Sequence, residues 1–289
     1  MLVNMKEILS VANERNFAVP AFNIGTCQIL KAVIECCEEK GAPVILAVHP
    51  KELNFQGDSA MAAMRDAAMN AKVPVCIHMD HSSTIEDILH AVRTGFTSVM
   101  MDASDKPFEE NIRLSKQVVD LVHPLGISVE AEIGTIGTTG NDAEGGTSEI
   151  IYTDPDDVVK FVNATGIDCL AIAIGTAHGI YPKGFKPQLK LDLLTEIKKK
   201  ATVPLVLHGG SANPDEEIAE SVKRGVNKIN ISSDTKDAMY QQLRKTLSND
   251  PKIREPFELY LEGIDAMKEV INHKIDLFDA ADKVKYYSL

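Results

Sequence analysis

Short apolar runs alternate with longer amphipathic segments along this chain, and the alternation repeats eight times. The runs cover 17–24, 43–48, 74–80, 98–102, 128–133, 169–175, 204–208 and 227–231. Each is nearly continuous in apolar character, as expected of parallel strands buried on both faces. Helical periodicity fills the intervals at 28–40, 85–94, 109–123, 156–165, 191–199 and 215–224. Several of these open on cap or first-turn signals, among them Ser82-Ser83-Thr84, Thr153-Asp154-Pro155 and Asn213-Pro214-Asp215. Several close on a glycine, at Gly41, Gly95, Gly126, Gly166 and Gly225, shortly before the next strand.

Eight βα alternations without a second composition regime predict an α/β fold, a closed (β/α)8 TIM barrel. An open doubly wound sheet is the competing arrangement. The whole of 1–289 reads as one domain. Its last part, 233–289, holds the final barrel helix and a C-terminal helical extension broken near Pro251 and Pro256. Extra terminal helices of this kind often serve homo-oligomers, so a homodimer or homotetramer is expected. The Gly/Thr-rich stretch 134–148 is the longest loop.

Composition narrows the function. With 44% hydrophobic residues the chain can bury a large core. A net charge of −12, from 30 basic and 42 acidic residues, argues against nucleic acid as a partner. No apolar stretch approaches the roughly 20 residues that span a bilayer, and the first residues lack a signal-peptide h-region, so no membrane partner and a cytoplasmic location are expected. The five cysteines, Cys27, Cys36, Cys37, Cys76 and Cys169, form no C-x-x-C pair and read as buried free thiols.

In such a barrel the chemistry sits where strands end. Here the strand ends are polar: Asp80-His81, Asp102, Glu130 and Glu132, His178 just past the sixth strand, His208, and Asn230 to Asp234. Any one of these histidines alone would read as a loop or core residue. His81, His178 and His208 on one rim fit a Zn2+ site of three protein ligands with a position left for substrate or water. His78 falls on the same side as Asp80, one layer deeper. The two small-residue junctions, Gly209-Gly210-Ser211 and Asn230-Ile231-Ser232-Ser233, resemble the phosphate cradle after the last two strands of such barrels. Lys183 is either a source of positive charge for that cradle or an ordinary solvated lysine.

As an ordered set, these residues resemble the class II ketose-bisphosphate aldolases of the tagatose- and fructose-bisphosphate branch. The resemblance is carried by Pro20-Ala-Phe-Asn23, Met79-Asp-His81, Val99-Met-Met-Asp-Ala-Ser104, Val129-Glu-Ala-Glu-Ile-Gly134, Gly175-Thr-Ala-His-Gly179, Leu207-His-Gly-Gly-Ser211 and Lys228-Ile-Asn-Ile231. It implies that His81, His178 and His208 hold zinc, with Asp102 and Glu132 at an alternative metal position. It implies Asp80 as acid/base at the C4 hydroxyl of the sugar. It also implies that Gly179, Gly209, Gly210, Ser211 and Asn230 to Ser233, with Asn23 nearby, grip dihydroxyacetone phosphate, and that a monovalent cation (Na+ or K+) binds near the phosphate. The metal would act as a Lewis acid at the carbonyl end of the ketose, so no lysine Schiff base is required.

The chain departs from the family pattern in three places. Its loop reads Gly137-Thr-Thr-Gly-Asn-Asp142, with glycine where the family carries a glutamate, which leaves Glu144 or Glu149 as candidates for the second acid/base. The segment Val48-His49-Pro50-Lys51-Glu52 and the tail Phe278-Asp-Ala-Ala-Asp-Lys283 also differ. His49 and Lys51 there either meet a second anionic group or are ordinary loop residues. The expected activity is reversible cleavage of tagatose or fructose 1,6-bisphosphate to dihydroxyacetone phosphate and glyceraldehyde 3-phosphate. A sugar-acid phosphate aldolase, a zinc hydrolase on the same barrel and a non-catalytic subunit are the alternatives.

Overall fold

The computed structural model describes residues 1–140, 146–147, 149–182, 184–185 and 187–288. A short strand β1 (Leu2–Val3) leads into helix α1 (Met5–Arg15), then β2 (Val19–Asn23), α2 (Cys27–Lys40) and β3 (Val44–Val48). Two helices, α3 (Pro50–Gln56) and α4 (Asp58–Asn70), connect β3 to β4 (Val75–Ser82). The chain continues through α5 (Ile85–Thr94), β5 (Ser98–Met101), α6 (Phe108–Val122) and β6 (Ser128–Ile133). A two-residue strand β7 (Gly137–Thr138) precedes α7 (Pro155–Thr165) and β8 (Cys169–Ile172), and another, β9 (Ala177–His178), precedes α8 (Leu191–Lys200). β10 (Leu205–Leu207), α9 (Asp215–Lys223), β11 (Val226–Ile231), α10 (Ser233–Asn249) and α11 (Pro256–Leu277) complete it.

Eight strands, β2, β3, β4, β5, β6, β8, β10 and β11, pair in parallel in chain order, and β11 pairs back onto β2. The result is the closed α/β barrel that the alternation predicts. Every residue of these strands is buried, on the inner and outer faces alike. That double burial is why the runs read as continuous apolar stretches.

Two of the three opening signals act as side-chain caps, whereas α9 starts behind Pro214 without a side-chain cap bond and has its C-cap at Arg224, one residue before Gly225. Thr26, Thr84 and Asp154 each accept a first-turn amide with their side chains, and Gly41, Gly95 and Gly166 end their helices in the left-handed conformation. Strand ends differ by up to three residues from the sequence reading, most at β8, which stops at Ile172. Helix α1 was not anticipated. It is fixed by an Asn4–Glu7 capping box and buries Met5, Ile8, Leu9 and Ala12 against β2, β4, β6 and β11, so it closes the lower end of the barrel.

The C-terminal extension is helical, with a break at 250–255 between α10 and α11. The two helices pack on each other, and α11 also lies on α2. Of the cysteines, Cys27 is exposed, contrary to expectation, because it opens α2 on its outer side; the other four are buried and free. Among the described residues, no helix is long and apolar enough to cross a membrane.

Candidate metal and substrate site

Regular alternation along β4 would point Asp80 and His81 to opposite faces. The strand instead carries a register shift between Met79 and Ser82, and His81 adopts φ 49°, the left-handed region. A bulge of this kind re-aims a side chain. Two successive residues thereby turn toward the same end of the barrel, and His81 comes to stack edge-on with His178 (4.9 Å between ring centroids) and His208 (4.5 Å).

The three histidines offer ligand atoms that all lie within 4.8 Å of one another. Nε2 of His81 and Nδ1 of His208 are buried and have no hydrogen-bond partner. Two orphaned nitrogens in one dry cluster would be costly unless a ligand satisfies them. Their other ring nitrogens are held: His81 Nδ1 lies 2.7 Å from Asp102 Oδ2, and His208 Nε2 donates to Glu130 Oε1 at 2.7 Å. Such carboxylate–imidazole pairs fix the tautomer and aim the opposite nitrogen. The donor set and its orphaned atoms fit a zinc ion.

His81, Asp102 and Glu132 form a second such group. Glu132 Oε2 is also orphaned, and burial, with Asp102 beside it, pushes its carboxyl well above the usual range. Asp102 is held far below its usual value, because its hydrogen bonds with His81 and Ser104 outweigh burial.

Asp80 is fully buried and accepts from Asn23 Nδ2 at 3.1 Å and from Asn230 Nδ2 at 3.2 Å. Burial opposes its charge, but the surrounding positive groups, His81 foremost, hold it well below the normal carboxylate range. Burial pulls His81 down as well, yet Asp80 and Asp102 raise it to about 10. Burial lowers His208 to about 4, so its imidazole is neutral near pH 7.

Below this layer lies a group that sequence reasoning left without a role. Lys228 Nζ bridges both oxygens of Glu130, at 3.0 and 2.8 Å, with both residues fully buried. His78 sits beside them, 3.6 Å from Glu130 and 3.9 Å from Asp80, with Nδ1 on Ser98 Oγ at 2.9 Å. Burial drops His78 to about 3. The available signal was the charge itself: a lysine and a glutamate inside apolar strands need partners.

The two small-residue junctions lie side by side and are hydrogen-bonded to each other. Gly210 N donates to Asn230 O at 3.1 Å, and Asp234 N to Ser211 Oγ at 3.3 Å. A Cβ on Gly209, which has φ 63°, would sit 2.7 Å from the Ala177 carbonyl oxygen, so only glycine lets this loop approach the strand of His178. Gly179 follows that strand with φ 95°. Ile231 is fully buried, which leaves only its backbone for a ligand. Ser232 Oγ accepts from Lys236 Nζ at 2.9 Å, and Ser233 opens α10.

A cavity of about 560 Å³ opens beside the histidines, walled by His49, Lys51, Ser83, Asp102, Glu132 and Lys106 among others. His49 is 7% exposed, caps α3 by accepting Lys51 N at Nδ1, and is lowered by burial to about 4. It is therefore a neutral wall residue. Lys51 is exposed at the same wall. Glu149 is exposed, and Glu144 and Lys183 lie outside the described residues.

The model of the family described as fructose-bisphosphate aldolase class-II matches residues 3–283. A fructose-bisphosphate aldolase of Geobacillus stearothermophilus is 39% identical over 288 residues, 98% of each chain. Among solved structures, the YdjI aldolase of Escherichia coli K12 superposes with a TM-score of 0.84 at 35% identity, covering 98% of this chain and 100% of that one. The fructose-bisphosphate aldolase of Campylobacter jejuni, at 22% identity over 98% and 96% of the two chains, shares the fold with a TM-score of 0.79.

Proposed function

The chain belongs to the class II fructose-bisphosphate aldolase family, and from that premise we propose that it is a zinc-dependent lyase acting reversibly on a ketose 1,6-bisphosphate. Its products would be dihydroxyacetone phosphate and glyceraldehyde 3-phosphate. The names of its relatives favour the fructose-type substrate over the tagatose type. One observation carries the reading: three histidine ligand atoms converge within 4.8 Å, directly beside a buried carboxylate.

His81, His178 and His208 would hold the zinc, which when bound supplies a Lewis acid at the carbonyl end of the sugar. The protein's own residues supply the rest. Asp80 takes the proton of the C4 hydroxyl during cleavage and returns it in synthesis. Its depressed pKa keeps it ionised and ready to accept, and the two amides of Asn23 and Asn230 fix its orientation. Glu130 and Asp102 orient His208 and His81. Backbone amides and hydroxyls at Gly179, Gly209 to Ser211 and Asn230 to Ser233 would bind the phosphate, in the manner of anion sites at helix N-termini.

Apolar residues on the outer faces of α10 (Tyr240, Leu247) and α11 (Phe257, Leu261) are exposed, which supports a homo-oligomer built through this hairpin. The activity is tested by a coupled assay for glyceraldehyde 3-phosphate with fructose and tagatose 1,6-bisphosphates, before and after zinc removal by a chelator. Turnover that depends on zinc is expected. Full turnover of the zinc-free protein would overturn the reading.

A further inference from the structure

We propose that Lys274, far along the C-terminal helix α11, is a positioning residue for the phosphate cradle, acting through Asp234. The inference rests on the reading of the loops after β10 and β11 as that cradle.

Lys274 is only 5% exposed, unusual for a lysine in a terminal helix. Its Nζ lies 2.8 Å from Asp234 Oδ2. The other oxygen of the same carboxylate accepts Ala212 N at 3.0 Å, and Asp234 N donates to Ser211 Oγ. Through its carboxylate and its backbone amide, this one residue at the start of α10 thus ties the β10 loop to the C-terminal extension. Ala212 has φ 56°, a conformation that a residue with a Cβ keeps only when its surroundings hold it. The Asp234 carboxylate is what holds it, and Ala212 in turn places Ser211. The neighbouring His273 meets Asp215 at 2.9 Å, so consecutive residues of α11 brace the first turns of both α9 and α10.

Charge gives the pair a second task. Asp234 stands in the first turn of α10, beside the amides proposed to receive a phosphate. An unpaired carboxylate there would repel the ligand, and Lys274 neutralises it. The C-terminal extension is in this view part of the binding site rather than a passive cover.

The test compares zinc-loaded full-length variants in fructose 1,6-bisphosphate cleavage and in binding of inorganic phosphate. Lys274→Met should raise KM about tenfold and weaken phosphate binding comparably while kcat falls by less than about threefold, the split expected when ground-state binding is lost. Adding Asp234→Asn to that variant should restore KM, because the amide oxygen still accepts Ala212 N–H and the stray charge is gone. An unchanged KM in Lys274→Met, or no recovery in the double variant, would overturn the proposal. If Lys274→Met does not fold, Lys274→Gln, which keeps a polar donor without the charge, decides: a KM raised about tenfold supports the charge argument, and an unchanged KM overturns it. Ser211→Ala separates this from the underlying reading. If phosphate binding is unaffected by that change as well, the cradle assignment itself is at fault.

Discussion

Glu130 accepts the Nε2–H of His208 at 2.7 Å, and the Nδ1 of that imidazole is left buried without a hydrogen-bond partner. The carboxylate is itself held by Lys228, which reaches it from β11 through the barrel interior. The proposed metal ligand is thus oriented by an ion pair that never reaches solvent.

Replacing Glu130 by Gln should weaken zinc binding by about 10–100-fold, the usual effect of losing the group behind a ligating histidine. Competition with a chromophoric chelator reads this directly, without recourse to activity. Zinc affinity equal to that of the unaltered protein would remove Glu130 from the site.

Lys228→Met should destabilise the fold by about 3–5 kcal/mol, because it leaves the Glu130 carboxylate buried without its counter-charge. Urea denaturation of the zinc-free protein measures this apart from metal binding. A change below about 1 kcal/mol would mean that His78 and His208 alone satisfy the carboxylate.

Asp80→Ala should keep zinc and lose turnover by about a hundredfold or more, as for a missing acid/base. Metal analysis beside the cleavage assay separates the two effects. An unchanged rate would place the proton transfer elsewhere.

Zinc uptake should release protons. In the metal-free protein His81 is raised to about 10, so it carries a proton at neutral pH, whereas His208, lowered to about 4, does not. A metal at His81 must displace that proton, so apparent zinc affinity falls about tenfold for each pH unit lowered below 10 and levels off above it. Titration in weak buffer with an indicator dye should show about one proton per zinc from this group. No release at pH 7 would show that His81 is neutral before metal arrives.

The barrel was legible because each strand is buried on both faces, so runs such as 44–48 carry no polar interruption. The helices α3 and α4 were not. Their sequence, PKELNFQ then DSAMAAMRDAAMN, is rich in Ala and Met, which gives little contrast between faces, and Gly57 interrupts it. The site histidines could be placed on one rim from the strand ends alone. The geometry of His81 could not, since alternation predicts the opposite face and only the bulge reverses it. Glu130 was visible as a buried charge, but its partners lie 78 and 98 positions away, His208 and Lys228, and no local pattern links them.

The bulge in β4 has a practical consequence. Asp80 and His81 are joined by a single peptide unit, so the backbone positions of the proposed base and of one proposed metal ligand cannot drift apart when the barrel breathes. The other two ligands come from β9 and from the end of β10 and do not share that protection. Substitutions that loosen the fold should therefore disturb metal retention before they disturb the alignment of base and metal, and heating should strip zinc from a protein whose remaining loaded fraction still turns over at its normal rate.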